Sequence, residues 1–253
     1  MLRKVYSSAD LVTMVVPSQS AENRVPDTLP QAVLTNGFDR EDLNGILVPG
    51  RTDRRLHITY LGQIYPSVQD FTPLFRAVSE LISKGRIGRD SIRIEYAGQS
   101  FAELSRQAAS CGAEELLVNH GFVDRGEALL LERSSDILLF TIWDNRKSEV
   151  LPAKFLEYMM MEKPVLALDS GPVKDRLAVR VLRETNLGFA YEGSNPSSQS
   201  ALERWLEDAV HAVSEGNSLP FDPNRAEIDR YSYPVLSDRL SLLLSPFRKE
   251  GSV

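Results

Sequence analysis

The sequence predicts an α/β protein built on a doubly wound parallel sheet, and three observations lead to this fold class. Short runs rich in β-branched residues alternate with segments of helical periodicity along most of the chain. The 253 residues are 42% hydrophobic and 25% charged, as in ordinary globular domains. No apolar run reaches the roughly 20 residues that a membrane-spanning helix needs. Right-handed crossovers would bring the carboxyl ends of the strands to one edge, where such sheets bind ligands.

The order of the predicted elements follows from this alternation. The strands are expected at Leu11–Val16, Ala32–Thr35, His57–Leu61, Ile92–Tyr96, Glu115–Asn119, Ile137–Thr141, Pro164–Leu168 and Gly188–Tyr191. The helices between them are expected at Phe71–Ser83, Ser100–Cys111, Gly126–Ser134, Lys154–Met161 and Ser197–Val213. Phe71–Ser83 and Ser197–Val213 carry apolar residues at helical spacing on one face, and Gly112 suits the end of Ser100–Cys111.

Three parts are predicted along the chain. Residues 1–39 contain short strand and loop segments that pack poorly alone, and we interpret them as an interdomain segment. Residues 40–230 form the main domain. Residues 231–253 hold a helix over Tyr231–Leu244, with leucines on one face, and a terminal tail.

Composition excludes several classes of protein. The formal net charge of −6 argues against a nucleic-acid partner. The single cysteine cannot form an internal disulfide, and the three histidines do not have the spacing of metal ligands. The N-terminus does not have the pattern of a secretory signal. We expect a cytoplasmic protein, either free or peripheral at the inner face of the membrane.

The densest chemical signal is the segment from Ser148 to Tyr158. Pro152 marks the start of a helix, whose free backbone N–H groups and positive dipole end suit a phosphate. Lys154 in the first turn opposes the dipole unless an anion binds there. Glu149 and Glu157 bracket this position. Together they suit a nucleoside diphosphate sugar, with lysine on the phosphates and carboxylates on hydroxyls.

A family resemblance rests on this segment and on others in the same order. Glu149 and Glu157, with seven residues between them and followed by the strand Pro164–Leu168, resemble the donor motif of family 4 glycosyltransferases, which have the GT-B fold with two domains. The form of the helix is similar to the subgroup that makes polysaccharides and cell-envelope glycans. Further matching segments are Ala9–Thr13, Leu34–Asp39, Tyr60–Tyr65, His120–Val123 and Ser135–Leu139.

The resemblance implies a role for each site residue. Glu149 and Lys154 would be catalytic: Glu149 near the transferred carbon of the sugar, and Lys154 on the leaving diphosphate. Glu157 would hold the ribose hydroxyls, and Gly62 would admit the phosphates or the acceptor. Four more residues belong to the implied donor site, with Phe122 and Val123 carrying the base through backbone contacts. They are Gln63, Leu151, Phe122 and Val123. The family transfers sugars with retention and without a metal or other cofactor. The resemblance also implies that the donor would be a UDP- or GDP-sugar.

One departure and several alternatives remain. Many relatives carry a cation shortly after the Gly62 glycine, whereas residues 63–70 contain none. Lys154 and Glu157 could instead form an ordinary surface pair. Gly62 could be a plain strand-end glycine, and His120 a structural residue.

The resemblance further implies that the chain is the C-terminal, donor-binding half of a GT-B enzyme. An N-terminal acceptor domain would come from a separate chain, or a homo-oligomer would cover the final helix. The enzyme would transfer a sugar to a glycan or lipid-linked acceptor. The alternatives are a nucleotide-sugar-binding subunit without turnover, a truncated inactive fragment and, last, an epimerase of the same fold.

Overall fold

The computed structural model describes residues 2–48, 50–143, 151–174 and 176–247. Its strands are β1 Val12–Met14, β2 Gln31–Val33, β3 Leu56–Leu61, β4 Ile92–Ala97, β5 Leu117–Gly121, β6 Ile137–Thr141, β7 Val165–Asp169 and β8 Gly188–Glu192. Six of them form a parallel sheet in the order β5-β4-β3-β6-β7-β8, and β1 and β2 form a separate parallel pair. The predicted doubly wound parallel sheet is confirmed.

Ten α-helices are described, most of them in the connections between strands. They are α1 Leu2–Tyr6, α2 Gln19–Glu22, α3 Thr72–Ser83, α4 Phe101–Ala109, α5 Arg125–Ser134, α6 Ala153–Met161, α7 Leu177–Glu184, α8 Ser198–Ser214, α9 Arg225–Asp229 and α10 Tyr233–Leu244. The predicted helices are confirmed with small shifts at their ends. None of the helices in the described ranges combines the length and apolar character needed to cross a bilayer.

The sheet has a hydrophobic core on each face, because successive side chains of a strand point to opposite sides. In β6, Ile137 and Leu139 belong to the core that includes apolar residues of α3, α4 and α8. Leu138 and Phe140 belong to the other core, with residues of α6 and α7. Strands covered on both faces are almost continuously apolar, which is why β6 and β7 are strong signals in the sequence.

The sequence prediction omits four short helices, which are α1, α2, α7 and α9. α7 places Ala178, Val179, Val181 and Leu182 in the core. With eight residues, α7 is shorter than the roughly 11–18 residues over which helical periodicity is recognised. The strand β5 also begins later than predicted, because a 3₁₀ turn covers Glu114–Leu116.

The polypeptide shortly after β2 contacts the polypeptide shortly after α9. Phe38 pairs with Ser232 in an isolated parallel bridge, with Phe38 N–H donating to the Tyr231 carbonyl at 3.0 Å. In α10, Leu236 is buried, whereas Leu242 and Leu244 are exposed. The division of the chain at residues 39 and 230 stays a prediction.

The strand order locates the ligand edge. The chain moves outward from β3 through β4 to β5, and then returns to the other side of β3 to form β6, β7 and β8. The order therefore reverses between β3 and β6, and ligands of open α/β sheets bind beyond the carboxyl ends of the strands at such a switch point.

Candidate functional site

Gly62 lies at this switch point, directly after β3, in a backbone conformation that favours glycine. Its φ is +125°, its N–H donates to the Ala97 carbonyl at 2.9 Å, and its own carbonyl accepts from the Tyr96 hydroxyl at 2.8 Å. A Cβ at Gly62 would lie 3.5 Å from Cε of Lys154. The glycine thus leaves open the space beside the predicted phosphate-binding lysine.

The helix after β6 presents an uncapped N-terminus to the same edge. Pro152 occupies the N-cap position and cannot accept a hydrogen bond from the first backbone N–H groups through its side chain. The first turn also contains no acidic residue. Lys154 lies in that turn. A cation near the positive end of a helix is unfavourable by a few tenths of a kcal/mol, and a bound anion would reverse this sign.

Lys154 lies among two carboxylates and a ring. Its Nζ is 3.3 Å from Oε1 of Glu132 and 3.7 Å from Oε2 of Glu157, and it lies 5.4 Å from the centre of the Tyr158 ring. Tyr158 is fully buried and its hydroxyl donates to the Leu139 carbonyl at 3.2 Å. The lysine is therefore held against the domain rather than extended into solvent.

Glu157 is bonded to an arginine that the sequence reasoning did not single out. Arg125, the first residue of α5, pairs with Glu157 through Nη1 and lies 3.2 Å from Oδ2 of Asp42 through Nη2. A capping box fixes the start of this helix, with Asp124 accepting from Glu127 N–H. A second cation thus reaches the site from a helix rather than from the segment after Gly62.

Glu132 is the second residue that the sequence reasoning missed. Its side chain is only 1% exposed, and its Oε2 has no hydrogen-bond partner within the described part of the chain. Burial raises the pKa of this carboxyl to about 7; the charge of Lys154 opposes the rise and that of Glu157 adds to it. One feature of the sequence could have revealed Glu132: it is a charged residue three positions after Leu129, and residues at that spacing share one face of a helix, here the buried face of α5.

The remaining predicted residues lie around this centre with different exposures. Phe122 is 78% exposed and Val123 is partly buried, both in the connection between β5 and α5. Gln63 is exposed and follows Gly62. Leu151 is buried in the second core, so its side chain supports α6 rather than facing a ligand. Glu149 lies outside the described residues.

Two other kinds of site, a metal centre and a separate cavity, are less well supported in the described part of the chain. No group of three His, Cys, Asp or Glu residues in the described ranges could hold a metal ion. A cavity of about 360 Å³ lies near the carboxyl ends of β6 and β7, lined by residues 67–72 and by α4. Its buried Gln69 and Gln107 already have hydrogen-bond partners, and its Arg106 is paired with Glu103. We therefore place the candidate site at Lys154 and not in this cavity.

Sequence comparison identifies the family. A family model described as "Glycosyl transferases group 1" matches residues 55–208, which is more than half of the chain. The chain belongs to this family. The resemblance found in the motifs is thereby confirmed at the level of the family. No curated protein matches this glycosyltransferase chain in sequence.

Solved structures extend the likeness to the fold. The chain is similar to a TarM variant of S. aureus in complex with fondaparinux, α-GlcNAc-glycerol and UDP, with 12% identity and a TM-score of 0.60 over 96% of this chain and 45% of that one. It is also similar to the lipopolysaccharide outer core galactosyltransferase WaaB, with 14% identity and a TM-score of 0.59 over 95% and 63%. Trehalose-6-phosphate synthase has 14% identity and a TM-score of 0.62 over 97% and 62%.

These glycosyltransferase likenesses confirm the fold class. The six-stranded parallel sheet with helices on both faces is the Rossmann-like sheet of the GT-B fold. This group 1 chain spans between 45% and 63% of the length of the three structures described.

Proposed function

We propose that the chain is the donor-binding half of a retaining glycosyltransferase, which binds a UDP- or GDP-sugar and passes the sugar to a glycan or lipid-linked acceptor. One observation carries this proposal: Lys154 lies in the first turn of α6, beside the open space at Gly62 and at the switch point of the sheet. A diphosphate there would accept from the lysine and from free backbone N–H groups of the helix.

The same arrangement suits the chemistry of transfer. When the bond between sugar and phosphate breaks, negative charge grows on the leaving diphosphate. Lys154 and the helix dipole are already in place, and such preorganised charges stabilise a transition state without further rearrangement. This mechanism uses a lysine where other transferases use a metal ion, so we expect donor binding to be independent of divalent cations.

The carboxylates would orient the nucleoside and the sugar. Glu157 is held by Arg125 and could accept hydrogen bonds from the ribose hydroxyls. Arg125 directly follows the connection that contains Phe122 and Val123, so a base bound there would lie next to the ribose. We assign Glu149 to the donor sugar, near the carbon that is transferred.

Retention and the use of UDP are supported by the structural neighbours. The comparison structure of trehalose-6-phosphate synthase concerns glycosyltransfer with retention, and the TarM variant was solved with UDP. The acceptor would be bound by the other half of a GT-B enzyme. The exposed Leu242 and Leu244 of α10 would suit such a contact.

A second candidate is a nucleotide-sugar-binding subunit without turnover, or an inactive fragment. This alternative is kept because residues 63–70, which follow Gly62, contain no lysine or arginine. Both candidates require donor binding, so transfer activity in the presence of an acceptor domain would separate them.

Donor binding is tested by thermal unfolding and titration calorimetry with UDP, GDP, ADP and their sugars. A ligand at about ten times its dissociation constant stabilises by about 1.4 kcal/mol, which raises the melting temperature by a few degrees. Lys154→Met and Glu157→Ala should each weaken binding by about 10- to 100-fold, since each removes a charge-assisted hydrogen bond.

The matched controls are Lys84→Met and Glu80→Ala, because these residues form an exposed pair on α3 at 3.1 Å. They should bind the donor as the unaltered protein does. If no nucleotide stabilises the chain, or if the controls weaken binding as much as the site variants, the proposal is wrong.

A further inference from the structure

The buried carboxylate of Glu132 has no role in the donor site described above. It lies in the last turn of α5, is 1% exposed, and touches Lys154 through Oε1 at 3.3 Å while Oε2 is without a hydrogen-bond partner in the described chain. A buried carboxylate with one cation and a free oxygen costs folding free energy, so a structural role alone does not account for it.

The charged groups around Glu132 come from two helices. Lys154, Glu157 and Tyr158 face it from α6, and Arg125 lies on its own helix, α5. Lys154 is shared between the two carboxylates, and Arg125 takes the other oxygen of Glu157. Glu132 is thus the inner anchor of a lysine whose outer side is open at Gly62.

We infer that Glu132 is a positioning residue: it holds the Lys154 ammonium beneath Gly62 and takes up a proton when a nucleoside diphosphate sugar binds. The inference rests on the proposed donor site. A diphosphate that pairs with Lys154 brings further negative charge towards Glu132 and competes for the lysine with which Glu132 is paired. Both effects favour the neutral carboxylic acid.

The sign of the pH dependence follows from this coupling. Burial already raises the pKa of Glu132 to about 7, so the carboxyl is partly ionised at neutral pH. If the donor raises this pKa further, binding takes up a fraction of a proton and donor affinity falls as pH rises through about 7. Glutamine cannot ionise, so Glu132→Gln should remove both effects.

The binding test uses calorimetry with UDP-glucose and GDP-mannose, whose phosphates do not titrate near neutral pH. Heats measured at about pH 7 in PIPES and in Tris give the proton uptake per donor bound. The inference expects up to about half a proton in the unaltered protein, none in Glu132→Gln, and a several-fold loss of affinity between about pH 6.5 and 8 in the former alone. Proton uptake that persists in the variant, or that is absent from the unaltered protein, would overturn it.

A second test needs no donor and so separates this inference from the proposed function. In protein labelled with ¹³C-lysine, the Cε resonance of Lys154, assigned with Lys154→Arg, should titrate with a midpoint near pH 7. The titration should vanish in Glu132→Gln. Lys84 pairs with Glu80 on α3 and is the internal control, which should be the same in both proteins.

A Lys154 resonance that does not follow the ionisation of Glu132 contradicts the positioning role, whatever the nucleotides do. If Glu132→Gln does not fold, the carboxyl ¹³C resonance of Glu132 is followed in Lys154→Met instead. Its midpoint should rise, because the lysine charge lowers the pKa of Glu132. An unchanged midpoint would also overturn the inference.

Discussion

Two buried carboxylates in the same domain have opposite environments. Glu95 in β4 is bonded to Nδ1 of His57 at 2.7 Å and to Nε2 of His120 at 3.1 Å, so both of its oxygens have partners. Burial favours its neutral form, but these hydrogen bonds and charges hold the pKa of Glu95 below its usual range. Among the described residues, Glu132 has a cation at 3.3 Å from one oxygen and no hydrogen-bond partner for the other, and burial raises its pKa to about 7.

The difference shows how one fold uses a buried carboxylate for stability in one place and at the proposed ligand-binding site in another. The network of Glu95 lies across three neighbouring strands, with a histidine from the strand on either side bonded to each oxygen of the carboxylate. Glu132 lies on a helix beside an uncapped helix terminus, where a bound diphosphate would change the charge around it. An incompletely satisfied buried charge is expected where function, and not stability, selects it.

The largest expected effect concerns Glu132 and the pH dependence of stability. Its folded-state pKa is raised from 4.5 to about 7, so the folded protein binds more protons than the unfolded chain in this range. The contribution is fully present below the unfolded pKa and is lost as pH rises through about 7. Relative to Glu132→Gln, the protein should lose on the order of 2–3 kcal/mol between about pH 5 and pH 8.

Urea unfolding of both proteins at a series of pH values measures this difference, and the variant cancels the titration of all other groups. A difference in unfolding free energy that does not change with pH would show that Glu132 stays ionised or stays neutral throughout. The contrast with Glu95 would then be lost.

The next effect has the opposite sign and comes from Glu95→Gln. The pKa of Glu95 is depressed in the folded state, so its contribution is present above the unfolded pKa and is lost as pH falls through the folded one. At neutral pH the variant should lose about 1–2 kcal/mol, because an amide cannot accept from both histidines. The cost should shrink below about pH 4. A cost that grows on acidification would break the comparison.

Donor binding gives a further test of the difference between Glu95 and Glu132. Glu95→Gln should bind nucleotide sugars as the unaltered protein does once it is folded, whereas Glu132→Gln should change the pH dependence of binding without a large loss of affinity at low pH.

The fold was predictable because its signals are local. The strands β6 and β7 are apolar throughout and the long helices have one clear apolar face, so their positions follow from the sequence. The placement of Lys154 in a first helical turn was equally readable from Pro152. These features depend on the spacing of residues within a dozen positions.

The partners within the site were not predictable in the same way. Arg125 and Glu132 reach Glu157 and Lys154 from a helix more than twenty residues earlier, and only the packing of α5 against the sheet brings them there. A sequence shows that Glu132 falls on an apolar face, but not which charge it meets. The expected cation after Gly62 is absent, and its closest substitute comes from this long-range contact.

The smallest expected effect tests which partner gives Glu95 its low pKa. His57 is the closer partner and is almost buried, whereas the side chain of His120 is 31% exposed. His120→Gln should therefore cost only about 0.5 kcal/mol, because an exposed group keeps its hydration when it loses a partner. His57→Gln should cost more and should shift the carboxyl ¹³C titration of Glu95 further upward. Equal effects from the two histidines would mean that charge, rather than burial of the hydrogen bond, separates Glu95 from Glu132.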